Sequence, residues 1–433
     1  MVEKILELAA ARAGAAEVHL VESESRPIQF EHNELKYVQT KSARGISLRV
    51  IHEGRLGFAS TTDPSEPERL VDRAIESARF GQAARFGFPG PAACPSVAVY
   101  DPRVAEFPVQ RGIELGRDAI DRIRAEFDDV QCDAEVCASV TRERLANSSG
   151  LDTEERLTGF DAQLVALRVN EGGMLWVSDG ESSRGLVANF DRYASKVIAD
   201  IRRAETEAEP PTGPWPVLFT ARAVGLLAQF LQYAVNGKLV QKGASPLIGR
   251  LGEQVLAPSV TLYDDATRDY GDASSPRDAE GVPSRKTALF DHGVLRTFLF
   301  DLQTAGMMGT ESTANAVREF ASAPRVDSNN LVLEPGSESF DALLRGIGRG
   351  LLVDEVIGGG QSNVLAGEFS VNVSLGFLVE RGEVVGRVKD CMVAGNVFDA
   401  FNRIRGIGSE QETHGSMVVP PICFDAVHVV GGG

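Results

Sequence analysis

The sequence has no pair of closely spaced histidines. Its six, His19, His32, His52, His292, His414 and His428, never stand three to five residues apart. That spacing is what puts two imidazoles on one helical face around a zinc ion, so no local metal motif is present. Cysteine is scarce as well. The five, at 94, 132, 137, 391 and 423, are odd in number and lack a C-x-x-C pair. This excludes a disulfide framework and fits a reduced compartment with small buried thiols. No G-x-S-x-G nucleophile elbow occurs, and no cysteine has a neighbouring histidine. No run of about 18 apolar residues offers a membrane helix. The first residues, Met1 to Leu8, alternate charge with apolar side chains rather than forming a signal-peptide core. These features predict a cytoplasmic protein without a membrane segment. Basic clusters are also missing. With 61 acidic against 44 basic residues the net charge is −17, which disfavours nucleic acid as a partner.

What is present is an ordinary globular composition, 43% hydrophobic and 24% charged over 433 residues, enough for two domains. Two Pro/Gly-rich stretches punctuate it, Phe86–Pro95 and Glu209–Pro216, neither suited to a helix or a central strand. The second is the expected boundary between an N-terminal α+β domain, 1–209, and a C-terminal β-rich domain, 216–433.

The N-terminal part reads as one unit used twice, about 1–82 and 108–205. Ser47–Leu56 is echoed by Ala166–Leu175, with Leu, Arg, Val, Gly and Leu recurring at an offset of 119. Each copy reads as a hairpin flanked by amphipathic helices. Val2, Ile5, Leu6 and Ala9 share a face before the first hairpin. Leu70, Val71, Ala74, Ile75 and Ala78 do so after it, behind a Ser65-x-x-Glu68 capping box. Ile113, Gly116, Ile120 and Ile123 precede the second hairpin, and a helix over roughly 188–204 follows it.

From Pro216 the pattern changes. Val217–Thr220 is an expected strand that runs into an apolar helix, Ala221 to about Ala234. Short β segments follow at Val260–Tyr263, Thr287–Phe290, Leu295–Phe300, Phe369–Val379 and Val384–Val393. Asp291-His292-Gly293 and Glu380-Arg381-Gly382-Glu383 have hairpin-turn chemistry. The fold class is α+β, with a mostly antiparallel, barrel-like C-terminal sheet and helices packed on it.

Three local features invite chemical readings. Asp264–Asp272 is acidic, but it misses calcium-loop spacing and reads as a solvated turn. Gly346-Ile347-Gly348-Arg349-Gly350 and Gly358-Gly359-Gly360-Gln361-Ser362-Asn363 lack the strand–loop–helix context of a phosphate cradle, so they read as bulges or close backbone approaches.

An ordered set of short segments goes further. Lys242-Gly243-Ala244-Ser245, Asp291–Leu295, Thr313-Ala314-Asn315-Ala316-Val317-Arg318, Pro335-Gly336, Gly360–Ser370, Gly376–Glu383 and Ala394-Gly395-Asn396 follow one another in the order found in the TldD/PmbA family. The chain resembles that family over essentially its whole length. Active TldD subunits carry an HExxxH helix just upstream of the Lys-Gly-x-Ser segment and a later Cys-Gly ligand. By this resemblance the helix positions fall at Ala228, Gln229 and Tyr233, and the later ligand falls near Thr413-His414-Gly415-Ser416. Alanine has no donor, glutamine is a neutral amide, and tyrosine titrates near pH 10. No catalytic residue, metal ligand or cofactor is therefore expected. The resemblance implies the TldE/PmbA branch, a non-catalytic partner that forms a heterodimer with a TldD-like zinc protease acting on unfolded or modified peptides. The alternatives are a homodimeric binding or scaffold protein, and a hydrolase built on the acidic segment or a cysteine.

Overall fold

The structure is a computed structural model and describes residues 1–170, 173–358 and 362–431. Glu171 and Gly172 of the second hairpin echo, and Gly359, Gly360 and Gln361 of the glycine-rich loop, lie outside the described residues.

The N-terminal half is two successive helix–strands–helix units. The first comprises α1 (Val2–Ala13), β1 (Ala15–Glu31), β2 (Glu34–Val38), β3 (Lys41–His52), β4 (Arg55–Thr61) and α2 (Pro67–Ala78). The second comprises α3 (Pro102–Ala105), α4 (Val109–Arg124), β5 (Val130–Asn147), β6 (Asp152–Asn170), β7 (Gly173–Ser183) and α5 (Phe190–Arg203). Their strands form one antiparallel sheet in the order β4-β3-β1-β5-β6-β7, with β2 paired to β1. The seam lies at β1 and β5, which pair from Glu17↔Asn147 to Phe30↔Ala134.

Helical periodicity locates the helices. In α1, Val2, Ile5, Ala9 and Ala13 are buried. Gly14, at φ 92°, ends the helix with its N–H on the Ala10 carbonyl. On α4, side chains at Gly112 and Gly116 would stand 2.4 Å from Ile28 and 2.5 Å from Phe30, so glycine lets the helix settle on β1. The expected capping box before α2 does not form. Glu66 is the N-cap, no side chain caps the helix, and the Ser65 N–H binds Asp63 Oδ1 at 3.0 Å instead. Pro67 at the first turn needs no acceptor for an N–H, which removes part of the demand for a cap.

The sequence echo is out of step with the sheet. His52 pairs with Arg55 and Asn170 with Gly173, which sets the two hairpins 118 residues apart rather than 119. One residue of slip exchanges the faces of a strand. Arg49 accordingly lies on the sheet face away from the helices, whereas Arg168 lies over Phe127 on the helix side.

The C-terminal half begins with β8 (Gly213–Phe219), α6 (Ala221–Ala234) and α7 (Gly237–Gln241). It continues through β9 (Leu262–Asp265), β10 (Lys286–Asp291), β11 (Val294–Leu295), α8 (Leu302–Met308), β12 (Ala316–Val317), β13 (Arg325–Val326), β14 (Leu331–Leu333) and α9 (Phe340–Ile347). It closes with β15 (Arg349–Gly358), β16 (Glu368–Glu380), β17 (Glu383–Arg387), β18 (Cys391–Asn396), α10 (Val397–Phe401), β19 (Ile404–Ile407), β20 (Glu412–His414), β21 (Met417–Val419) and β22 (Ile422–Gly431).

Strands β8, β22, β18, β16 and β15 pair in a ring, a closed five-stranded barrel in which only β8 and β15 run parallel. A second sheet has the order β11-β10-β9-β14-β21-β20. Barrel residues alternate in what they touch. Val217 and Phe219 share a core with α6, while Leu218, Leu352 and Phe377 share one with α4 and α5.

Three expectations fail for identifiable reasons. Pro214 and Pro216 do lie in a barrel strand, but β15 pairs with β8 only from Val217 onward, so the missing N–H groups interrupt no ladder there. Val384–Val393 is two strands, broken where Asp390 takes φ 47°. Leu295–Phe300 is strand only at Val294–Leu295. Beyond it, Leu299 bonds the connection between α6 and α7, with its N–H on the Val235 carbonyl at 2.9 Å. The expected hairpin turns at 292–293 and 381–382 have both central residues at positive φ, the geometry that matches strand twist. Gly350 makes a close approach, as a side chain there would lie 2.2 Å from the Pro216 carbonyl oxygen.

Candidate functional site

Helix α6 is the element on which the resemblance places metal ligands. It is apolar because it is packed: Val224, Leu227, Ala228 and Leu231 have no exposed surface. Gln229 is exposed and Tyr233 is 47% exposed. Residues five apart on an α-helix diverge by roughly 140°. Ala228 thus enters the core while Tyr233 faces outward, and the structure does not bring these two positions together.

The hairpin of β20 and β21 packs on α6 and contains the Thr413–Ser416 segment. Gly415 turns it at φ 59°, and the Ser416 carbonyl accepts the Leu331 N–H at 2.9 Å. His414 Nε2 lies 3.3 Å from Glu412 Oε2, and that contact holds the Glu412 carboxyl below its ordinary range. Among the described residues, no three His, Cys, Asp or Glu side chains are grouped to hold a metal ion. The donors at these positions do not fit zinc. Burial pushes the Cys391 and Cys423 thiols up to about 11, so neither supplies a thiolate near neutral pH.

Beside the start of α6 is a polar cavity of about 430 Å³, lined by Asp161, Ser178, Asp179 and Glu181 of the N-terminal sheet and by Arg222 and His414. Arg222 organises it. Its guanidinium donates to Ser178 Oγ at 2.8 Å and Asp179 Oδ1 at 3.2 Å, and it lies 3.9 Å from Glu355. Behind it Lys196 bridges Asp200 at 2.7 Å and Asp354 at 3.0 Å. Burial alone would lower the Lys196 pKa, but the Asp354 and Asp200 charges outweigh it and raise the value. A cavity with these walls can hold polar or cationic groups.

The acidic segment is not the solvated turn expected from its composition. Asp264 is fully buried, accepting from Asn329 N at 2.6 Å, Asn329 Nδ2 at 2.9 Å and Asn315 Nδ2 at 2.8 Å. Burial raises its pKa to about 6 against those bonds.

The charged residues that join the two halves were not picked out by sequence reasoning. Arg49 on β3 pairs with Glu17 at 3.1 Å and with Glu280, under the rings of Phe86 and Phe88. Arg318 pairs with Glu17 at 2.8 Å. Asp278 nearby is driven up to about 7 by burial and then by the Glu280 charge. The advance signals were the Thr313–Arg318 segment and the Ser47–Leu56 echo, each of which carries one of these arginines.

Fold and site together define an α+β chain with a closed five-stranded barrel whose helix α6 carries no His, Cys, Asp or Glu. Residues 212–431 match the model of the PmbA/TldA metallopeptidase C-terminal domain, and residues 16–78 match that of domain 1. The chain belongs to the TldD/PmbA family. A metalloprotease of Methanothermobacter thermautotrophicus is 29% identical, with 92% of this chain and 89% of that protein covered. The metalloprotease PmbA of Escherichia coli is 25% identical, covering 99% and 95%. Among solved structures, a putative modulator of DNA gyrase from Thermotoga maritima superposes with TM-score 0.90 at 25% identity, covering 99% of this chain and 100% of that one. TldE from Thermococcus kodakarensis shares the fold, with TM-score 0.90 at 24% identity and 99% of each chain covered.

Proposed function

We propose that this chain is the non-catalytic, TldE/PmbA-like subunit of a TldD–TldE-type metalloprotease, and that it works in the cytoplasm with a TldD-like zinc subunit on unfolded or modified peptides. The observation that carries the reading is helix α6. Its ligand positions hold Ala228, Gln229 and Tyr233, and the first of these is sealed in the core while the last faces out. An intact zinc site needs two imidazoles aimed at one point and a carboxylate base beside them. None of the three residues supplies either group. The chain's part is then to complete the dimer and shape the space in which peptide is held. The high thiol pKa values count against a hydrolase built on Cys391 or Cys423.

The test is co-purification with the TldD-like protein of the same cell, then a peptidase assay of each subunit and of the mixture. The expected result is a stable complex, zinc by elemental analysis only in the partner, and hydrolysis only where the partner is present. One zinc per chain surviving dialysis of this protein alone, or hydrolysis by it alone, would overturn the reading.

A further inference from the structure

A second cavity, of about 230 Å³, lies between strands β1, β5 and β6, the C-terminal loop at 273–279 and the segment 316–318 that includes β12. Its charged lining includes His19, Glu143, Arg184, Arg277, Asp278 and Arg318. Most of these charges are already matched. Glu155 holds Arg277 at 2.7 Å, and Glu143 lies 3.6 Å from His19. Both Asp278 oxygens accept backbone N–H groups, from Glu280, Val282 and Ala316. Two arginines remain. Arg318, with 2% of its side chain exposed, gives Nη1 to Glu17 but has no partner at Nε or Nη2. Arg184 donates Nε to the Ser274 carbonyl at 2.6 Å and makes no ion pair within the described residues.

Buried polar groups in native proteins are almost always satisfied, and an unmatched guanidinium calls for a planar two-oxygen acceptor. We infer that this cavity is a binding site for the free α-carboxylate of a peptide. A singly charged carboxylate suits it better than phosphate, whose second charge would meet Glu143, Glu155 and Asp278. Leu145 and Leu157 supply an apolar wall for the side chain of the last residue. The inference deepens the peptide-handling reading and rests on it for the class of ligand. It is tested on this chain alone, so a failure here is distinct from a failure to form a complex.

Isothermal titration of the full chain would use two unstructured peptides of one sequence ending in leucine, one with a free C-terminus and one amidated. The free acid should bind at least tenfold more tightly. Because Arg318 also holds Glu17, its removal threatens the fold, and Arg184→Gln is the informative variant. It should abolish the preference for the acid, bringing the affinity of the acid down to that of the amide. Equal affinity for the two peptides, or no binding of either, would overturn the inference. So would inorganic phosphate displacing the acid as effectively as a second free-acid peptide does.

Discussion

Arg318 Nη1 donates to Glu17 Oε1 at 2.8 Å across 301 positions of sequence, and the same carboxylate accepts from Arg49 at 3.1 Å. One side chain of β1 therefore anchors both a neighbouring strand and a loop of the C-terminal half. Burial works against the Glu17 charge, but the Arg49 and Arg318 charges and hydrogen bonds hold its pKa below the ordinary value. Replacing Glu17 by Gln leaves two buried guanidinium groups short of a counter-charge. The expected loss of stability is on the order of 3–5 kcal/mol, read as a lower urea midpoint with the same slope.

Asp278 has the opposite linkage. Its folded pKa of about 7 lies above the 3.8 of an ordinary aspartate, so the folded state binds the proton more tightly. Its contribution is fully present below pH ~4 and is lost as pH rises through 7. Asp278→Asn removes this pH dependence. Relative to the unmodified protein, the variant should gain stability steadily from pH 4 to pH 7 in denaturation series, and a constant difference would refute the assignment.

Restoring the family's ligand residues on α6 should not create an enzyme. Ala228→His overpacks a sealed core position and should cost about 1–3 kcal/mol. Gln229→Glu and Tyr233→His are exposed and should stay within about 0.5 kcal/mol. The triple variant should retain no zinc after dialysis and show no zinc-dependent peptide hydrolysis, because position 228 is sealed in the core and both the later cysteine ligand and the orienting partners are missing. Turnover comparable to a TldD-like subunit would contradict this.

Two glycines four residues apart should respond with opposite signs. Gly346 lies in α9 with open space around its missing side chain, so Gly346→Ala should stabilise by up to about 1 kcal/mol. At Gly350 a methyl group would stand 2.2 Å from the Pro216 carbonyl oxygen, which must shift. Gly350→Ala should lower stability by about 1–3 kcal/mol. Thermal melts of the two variants decide it.

Local patterns were readable where a single periodicity governs an element. Helix α6 runs over Ala221–Ala234 as its apolar spacing predicts, and both N-terminal hairpins form between helices. Errors appear where neighbours distant in sequence decide. Asp264 is drawn out of solvent by Asn315 and Asn329, more than fifty residues away. Pro214 is accommodated because β15 starts pairing beyond it. The offset of 119 is close to the 118 of the sheet, and a single residue is enough to turn Arg49 and Arg168 to different faces. The candidate sites were least legible, because their charges come from both halves of the chain and carry no spacing rule.

The seam at the centre of the N-terminal sheet sets a timetable for synthesis. Strand β1 is complete at Glu31, but its partner β5 begins only at Val130. At roughly 5–20 residues per second, a ribosome takes on the order of 5–20 s to deliver that partner. Throughout that interval β3 can cover one side of β1, while the other presents the backbone of Glu17–Phe30 as an open edge. A chain stalled between the two units is therefore a molecule with a long unpaired strand, and nascent-chain chaperones have most to do on this protein before its second unit emerges.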